Sequence, residues 1–220
     1  MGEKKNMATV SKERCYLCGA ELGKTAMKNH ILKAHGAESG QDCMLLKLEG
    51  ANKNYWLYVD MPLTASLRSL DTFLRNIWLE CCGHQSEFAV GQYDSIEKTR
   101  KIGSFQPGDK LLHLYDFGST TETQITFLCT TKRKPQKAAV RLLARNNAPV
   151  FSCAVCGKEA NYICTECMWE SENPFLCEAC AEEHEHDDML LPVTNSPRMG
   201  VCGYCGELDT FSVPTFDKAD

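Results

Sequence analysis

The sequence is short of long hydrophobic runs: no stretch approaches the roughly 18 apolar residues that a membrane-spanning helix requires. Behind the opening Met1-Gly2-Glu3-Lys4-Lys5-Asn6 there is no apolar core of a secretory signal. Gly2 stands where a myristoylation signal begins, but position 6 is Asn where that signal wants Ser or Thr. These absences set the expectation of a cytoplasmic protein without a membrane anchor. Catalytic signatures are absent too. There is no P-loop, no dinucleotide-binding fingerprint and no His-Glu-x-x-His helix. Asp116-Phe117-Gly118 spells the kinase magnesium motif, but no glycine-rich phosphate loop or His-Arg-Asp sequence accompanies it. His184-Glu185-His186 is spaced too tightly for a metalloprotease helix. No catalytic residue is assigned on these grounds. Basic residues are scarce at one end only: residues 151–220 carry three against fourteen acidic ones. A surface of that sign repels phosphate backbones, which makes this part of the chain a poor nucleic-acid binder.

What the chain has in excess is cysteine, fourteen in 220 residues. Ten fall in five Cys-x-x-Cys pairs: Cys15/Cys18, Cys153/Cys156, Cys164/Cys167, Cys177/Cys180 and Cys202/Cys205. A secreted disulfide framework would call for an export signal and usually a shorter chain. Two sulfurs three positions apart on a tight turn instead suit one tetrahedral zinc ion. Four-thiolate sites also suit iron, which the spacing does not separate from zinc.

The chain divides into three segments, 1–40, 41–148 and 149–220. In the first, Cys15 and Cys18 are followed by His30 and His35. Thr25–His35 reads as a helix with Thr25 as N-cap and Gly36 as stop, and Leu22 and Met27 fall where a small finger needs apolar plugs. This resembles a zinc finger with two cysteine and two histidine ligands. The helix positions that touch bases in such fingers fall on Gly23, Ala26 and Asn29, and only Asn29 can bond to a base edge.

The second segment predicts strands at Cys43–Leu48, Tyr55–Val59, Glu87–Gln92, Lys110–Phe117, Thr123–Thr130 and Val140–Leu143. Leu67, Leu70, Phe73, Leu74, Ile77 and Trp78 recur at helical spacing and predict an amphipathic helix over 66–80. Strands with one dominant helix and no βαβ rhythm imply an α+β fold, a central mixed sheet with that helix, flanked by small zinc-stabilised modules. At the helix end, Cys81-Cys82-Gly83-His84 admits a reactive thiol beside His84 or an extra metal corner. The simpler reading, taken here, is two buried thiols packed as small apolar groups and a helix-end histidine. His113, inside an apolar strand, reads as a hydrogen-bonded core residue.

The phrases LDTFLRNIWLECCGH (70–84) and LYDFG (114–118) resemble the plasmid pRi ORF-three-like family, prokaryotic proteins also carried by insertion elements. The resemblance covers about residues 43–145 and implies an α+β domain with no established activity. Family members often follow Tyr-Asp-Phe-Gly with Asp, Trp and His, where this chain has Ser119, Thr121 and Thr123.

The third segment presents Cys153/Cys156, Cys164/Cys167, Cys177/Cys180, His184, His186, Cys202 and Cys205. Three pairs followed by histidines resemble cross-brace modules such as B-box and ZZ domains. That topology implies one site of Cys153, Cys156, Cys177 and Cys180. The second would use Cys164, Cys167 and two of His184, His186 and Cys202. Ten candidates exceed the eight ligands of two ions, so Cys205 and one histidine are read as surplus. About three zinc ions per chain are thus expected.

These observations point to a non-enzymatic, protein-binding adaptor whose zinc ions are structural. One alternative is a nucleic-acid-associated accessory protein of a mobile element, touching phosphates through residues 1–40 and Lys132–Lys134. The other is an enzyme using Cys81, Cys82 or His84.

Overall fold

The computed structural model describes residues 13–36, 38–91 and 94–207. Gly2 and the rest of the opening segment, the Gln92 end of one expected strand, and the last residues of the third segment lie outside them. The fold is α+β. The chain opens with a short hairpin, β1 (Glu13–Arg14) and β2 (Glu21–Leu22), and helix α1 (Lys24–His30). The body follows: β3 (Gln41–Gly50), β4 (Trp56–Pro62), α2 (Leu67–Leu74), β5 (Ser86–Val90), β6 (Asp94–Ile96), β7 (Lys110–Tyr115), β8 (Thr121–Arg133) and β9 (Arg141–Arg145). Its seven strands form one sheet in the order β6-β5-β7-β8-β3-β4-β9. Every pairing is antiparallel, where a mixed sheet was expected: β3/β4, β5/β6 and β7/β8 each turn back on themselves, and α2 carries the chain from β4 across the sheet to β5.

The apolar run of β3 follows from coverage of both its faces. Met44, Leu46 and Leu48, with Leu57, Val59 and Met61 of β4, point to α2 and meet Leu67, Leu70, Phe73, Leu74, Ile77 and Trp78. Leu45, with Trp56 and Tyr58, faces the opposite side, where Cys15, Met27 and Ile31 of the N-terminal finger share its core. Alternation along each strand sends neighbours to opposite faces, so one sheet carries the helix on one side and the finger on the other. The finger also covers part of edge strand β9: the Tyr16 amide donates to the Leu143 carbonyl at 2.8 Å, and Cys15 bridges Ala144.

Two helical stretches widen into a π-helical turn. Ile31–His35 continues α1, and Arg75–Leu79 continues α2, closed by the Glu80 amide on the Arg75 carbonyl at 2.9 Å. The second turn buries Ile77, Trp78 and Leu79 in succession. The N-cap of α1 is Gly23 rather than Thr25, and no side chain caps it.

The third segment holds β10 (Tyr162–Cys164), α3 (Cys167–Glu170), β11 (Phe175–Leu176), α4 (Glu178–Ala181) and β12 (Leu190–Pro192), with β10 central in a three-stranded sheet. Its apolar cluster is small, Cys153, Leu176, Cys177 and Ala181, with Ala160, Ile163, Cys164 and Tyr204 buried outside it. No helix among the described residues is long and apolar enough to cross a membrane.

Two buried polar hubs brace the body. Asp60 accepts from Arg133 Nη1 at 2.6 Å and Arg141 Nη2 at 2.5 Å, joining β4, β8 and β9. Arg133 is fully buried there and has no face for a phosphate, while Lys132 pairs with Asp42 at the surface. Asp71 accepts from Ser86, His113 and Lys98, so His113 is the hydrogen-bonded core residue expected.

Glu49 of β3 ties the finger to the sheet through Lys24 and is also paired with Lys47 at 2.6 Å. Burial pushes its carboxyl up, but the two ammonium groups outweigh burial and hold it below the usual glutamate value. A carboxyl lowered in this way contributes its stability in full above the unfolded value of about 4.3 and loses it as pH falls through the folded one. Glu49→Gln is expected to cost about 2 kcal/mol in urea unfolding, by the same amount at pH 8 and pH 6. A gap that already closes between those two values contradicts the pairing.

Candidate metal centres

The N-terminal centre is built on a tight turn and a helix. Cys15 and Cys18 lie on the turn between β1 and β2. Gly19, at φ 76°, donates its amide to the Cys15 carbonyl at 2.8 Å and folds the turn back. On a regular α-helix residues five apart lie about 140° apart around the axis, which would aim His30 and His35 away from each other. The π-helical turn after His30 corrects this: the rings meet edge to face, 5.1 Å between centroids. Cys18 Sγ is 3.1 Å from His30 Nε2, and Cys15 Sγ is 3.6 Å from His35 Nε2.

Two centres interleave in the third segment. Cys153, Cys156, Cys177 and Cys180 converge, with Cys156 and Cys177 sulfurs 3.5 Å apart. Gly157, at φ 75°, repeats the role of Gly19 and donates to the Cys153 carbonyl at 3.0 Å. Burial pushes the Cys153 thiol up, but backbone hydrogen bonds from Cys177, Cys156 and Val155 bring it down to about 6. Cys180, hydrogen-bonded to the sulfurs of Cys177 and Cys156, is pushed up to about 12. A divalent cation bound by these thiols would displace their protons. Cys164, Cys167, His184 and His186 form the other centre. Cys167 Sγ lies 3.4 Å from His184 Nε2 and 3.8 Å from His186 Nδ1. Pairs one and three therefore converge, and pair two meets both histidines, the cross-brace arrangement. Neither histidine is surplus.

Cys202 does not join that centre. It lies with Cys81, Cys82 and His84, a fourth group the sequence reading did not assemble. The expected pair of buried thiols at 81 and 82 is also corrected: Cys82 is exposed and Cys81 half-buried. One signal of this group was present in the sequence, namely the surplus of ligands in the third segment. Cys205 remains outside every group, with its thiol donating to the Gly203 carbonyl at 3.4 Å. Cys43 and Cys129 are likewise outside. Burial pushes the Cys43 thiol up to about 11 and raises that of Cys129.

Eleven of the fourteen cysteines and five of the six histidines thus stand in four quartets whose donor atoms lie within 4.8 Å of one another. A tetrahedron with metal–sulfur bonds of about 2.3 Å has edges of about 3.8 Å, and the separations given above match it. They exclude disulfides, whose sulfurs sit about 2.05 Å apart. All fourteen cysteines are free. Four clusters can therefore hold metal ions, and the mixed thiolate and imidazole donors are consistent with zinc.

His184→Ala and His186→Ala are each expected to lower the metal content by one ion per chain, measured by plasma emission on protein purified without chelator. Retention of the full content in either variant contradicts that quartet. No family model matches the chain, and no curated protein matches it. Among solved structures, a protein of unknown function, MM3350 from Methanosarcina mazei Go1, is similar at 15% identity and a TM-score of 0.38, covering 51% of this chain and 71% of that one.

Proposed function

We propose that this chain is a non-enzymatic zinc-binding adaptor: its metal ions are structural, and the surfaces they shape engage a protein partner. The observation that carries this reading is the donor set. Every quartet consists of four protein side chains, so a zinc ion within it has a filled tetrahedron and no position left for substrate. A cavity of about 400 Å³ lies among Val90, Arg100, Phe105 and Lys110, and no member of any quartet lines it. Thiolate ligands need a reducing compartment, in keeping with a cytoplasmic setting. We read the chain as an N-terminal finger and an acidic cross-brace module borne on an α+β body. We relate that body to the plasmid pRi ORF-three-like family through the two phrases at 70–84 and 114–118. Those phrases come together in space, where His84 faces Asp116 at 3.5 Å.

The partner surface we favour is on the third segment. Trp169 is 86% exposed, and Val155 and Val150 are also bare to solvent. Tryptophan is among the residue types enriched at protein interfaces, and on that ground we assign the contact to Trp169. The acidic charge of this segment favours a partner of basic character.

Trp169→Ala is expected to abolish partner capture from a lysate while leaving metal content and thermal unfolding unchanged. Capture that survives this change places the partner elsewhere. The nucleic-acid reading makes a different demand. Binding to a duplex would fall steeply with salt and vanish when Lys28 and Lys33 become alanine. That outcome would replace the adaptor reading.

A further inference from the structure

We infer that Cys81, Cys82, His84 and Cys202 form a fourth zinc centre, which fastens the segment leaving the cross-brace module to the end of α2. The inference rests on the proposed zinc chemistry of the other three centres but adds a site of a different kind. In those centres the ligands come from stretches of about 30 residues or fewer. Here three come from the turn after α2 and the fourth from 118 residues beyond His84.

The geometry is that of a metal site. Cys82 Sγ lies 3.0 Å from His84 Nε2 and 3.6 Å from Cys202 Sγ. Cys202 Sγ is 3.6 Å from His84 Nε2, and the Cys81 and Cys82 sulfurs are 3.9 Å apart. His84 turns Nε2 to the sulfurs and Nδ1 to Asp116 Oδ1 at 3.5 Å. Histidine ligands of zinc commonly hold their second nitrogen against a carboxylate in this way, which fixes the ring and its tautomer. Asp116 is itself fixed: it accepts from Arg198 Nη2 at 2.7 Å and from the Gly118 amide at 3.0 Å.

The backbone is shaped for the site. Among the described residues, three non-glycine residues have a left-handed backbone, and two of them, Asp116 (φ 66°) and Cys202 (φ 56°), are at this centre. L-residues adopt that conformation only where their surroundings hold them in it. Gly83, at φ 82°, turns the chain between Cys82 and His84, and its amide donates to Glu80 Oε1 at 2.6 Å.

The returning segment is seated before it reaches Cys202. Ser196 donates to the Trp78 carbonyl at 2.6 Å, in the π-helical turn that continues α2. Arg198 is fully buried, stacks over Tyr115 at 4.8 Å and also donates to Thr121 Oγ1. A metal ion at Cys202 would cross-link two parts of the chain that are remote in sequence, where a cross-link removes much unfolded-state entropy. The ion would act as a clasp and keep the acidic module in a set relation to the sheet.

The test is native mass spectrometry of the full chain with hydrogen exchange. Wild type is expected to carry four zinc ions. Cys202→Ser and Cys82→Ser should each carry three, and Cys205→Ser four. All three substituted positions are exposed, and the finger and cross-brace ions report that the variants are folded. In Cys202→Ser, amides of 195–204 should exchange faster than in wild type, with those of β3 and β4 unchanged. Three ions in wild type, or four in Cys202→Ser, overturn the clasp and leave the adaptor reading intact. Loss of an ion in Cys205→Ser overturns this ligand set. A wild type without zinc overturns both proposals.

Discussion

A metal ion joins separate stretches of chain only where four donor atoms are held at the corners of a tetrahedron, and those corners tolerate errors of a few tenths of an ångström. The placement of the four quartets depends on meeting that condition. The N-terminal finger meets it by widening its helix, since a regular α-helix would set His30 and His35 on divergent faces. The third segment meets it with tight turns, Gly157 at φ 75° behind the first pair. Its apolar cluster of Cys153, Leu176, Cys177 and Ala181 is too small to fold so short a piece by burial alone. Two of those four residues are themselves donors.

The sheet supplies what the metal centres cannot. Strands β3 and β4 are buried on both faces because α2 covers one and the finger covers part of the other. The finger therefore does not hang from the body as an independent reading head. Met27 and Ile31, which a free finger would bury against its own hairpin, lie on Leu45, Trp56 and Tyr58. This leaves Asn29 and Lys33 on the outside of the helix and commits its opposite side to the sheet. A helix with one side so committed is poorly placed to enter a groove, which fits a role in which metal serves structure.

The sequence made much of this legible. The strands from Cys43 to Leu143 and the helix over 66–80 could be read from periodicity, because burial on one or two faces writes that pattern directly. The cross-brace pairing followed from a resemblance, and the structure brings those same residues together. The fourth group was not legible, for a physical reason. Cys202 lies 120 positions beyond Cys82, and neither Cys81-Cys82-Gly83-His84 nor Cys202 carries the spacing of a complete site. Only the folded sheet, which places the end of α2 beside the returning segment, shows them to be neighbours. The run Lys132–Lys134 is a basic patch as letters, and what the letters do not tell is that its middle member, Arg133, is buried on Asp60. An antiparallel sheet in place of a mixed one was hidden for a similar cause, since strand direction depends on partners that local pattern does not name.

The most direct test of the central claim is a crystal structure with anomalous difference maps collected on both sides of the zinc absorption edge. The account predicts four peaks that vanish below the edge, one inside each quartet, with sulfur and nitrogen neighbours at about 2.3 and 2.0 Å and no water among them. Quartets closed as disulfides, or peaks with water in the coordination shell, would contradict it.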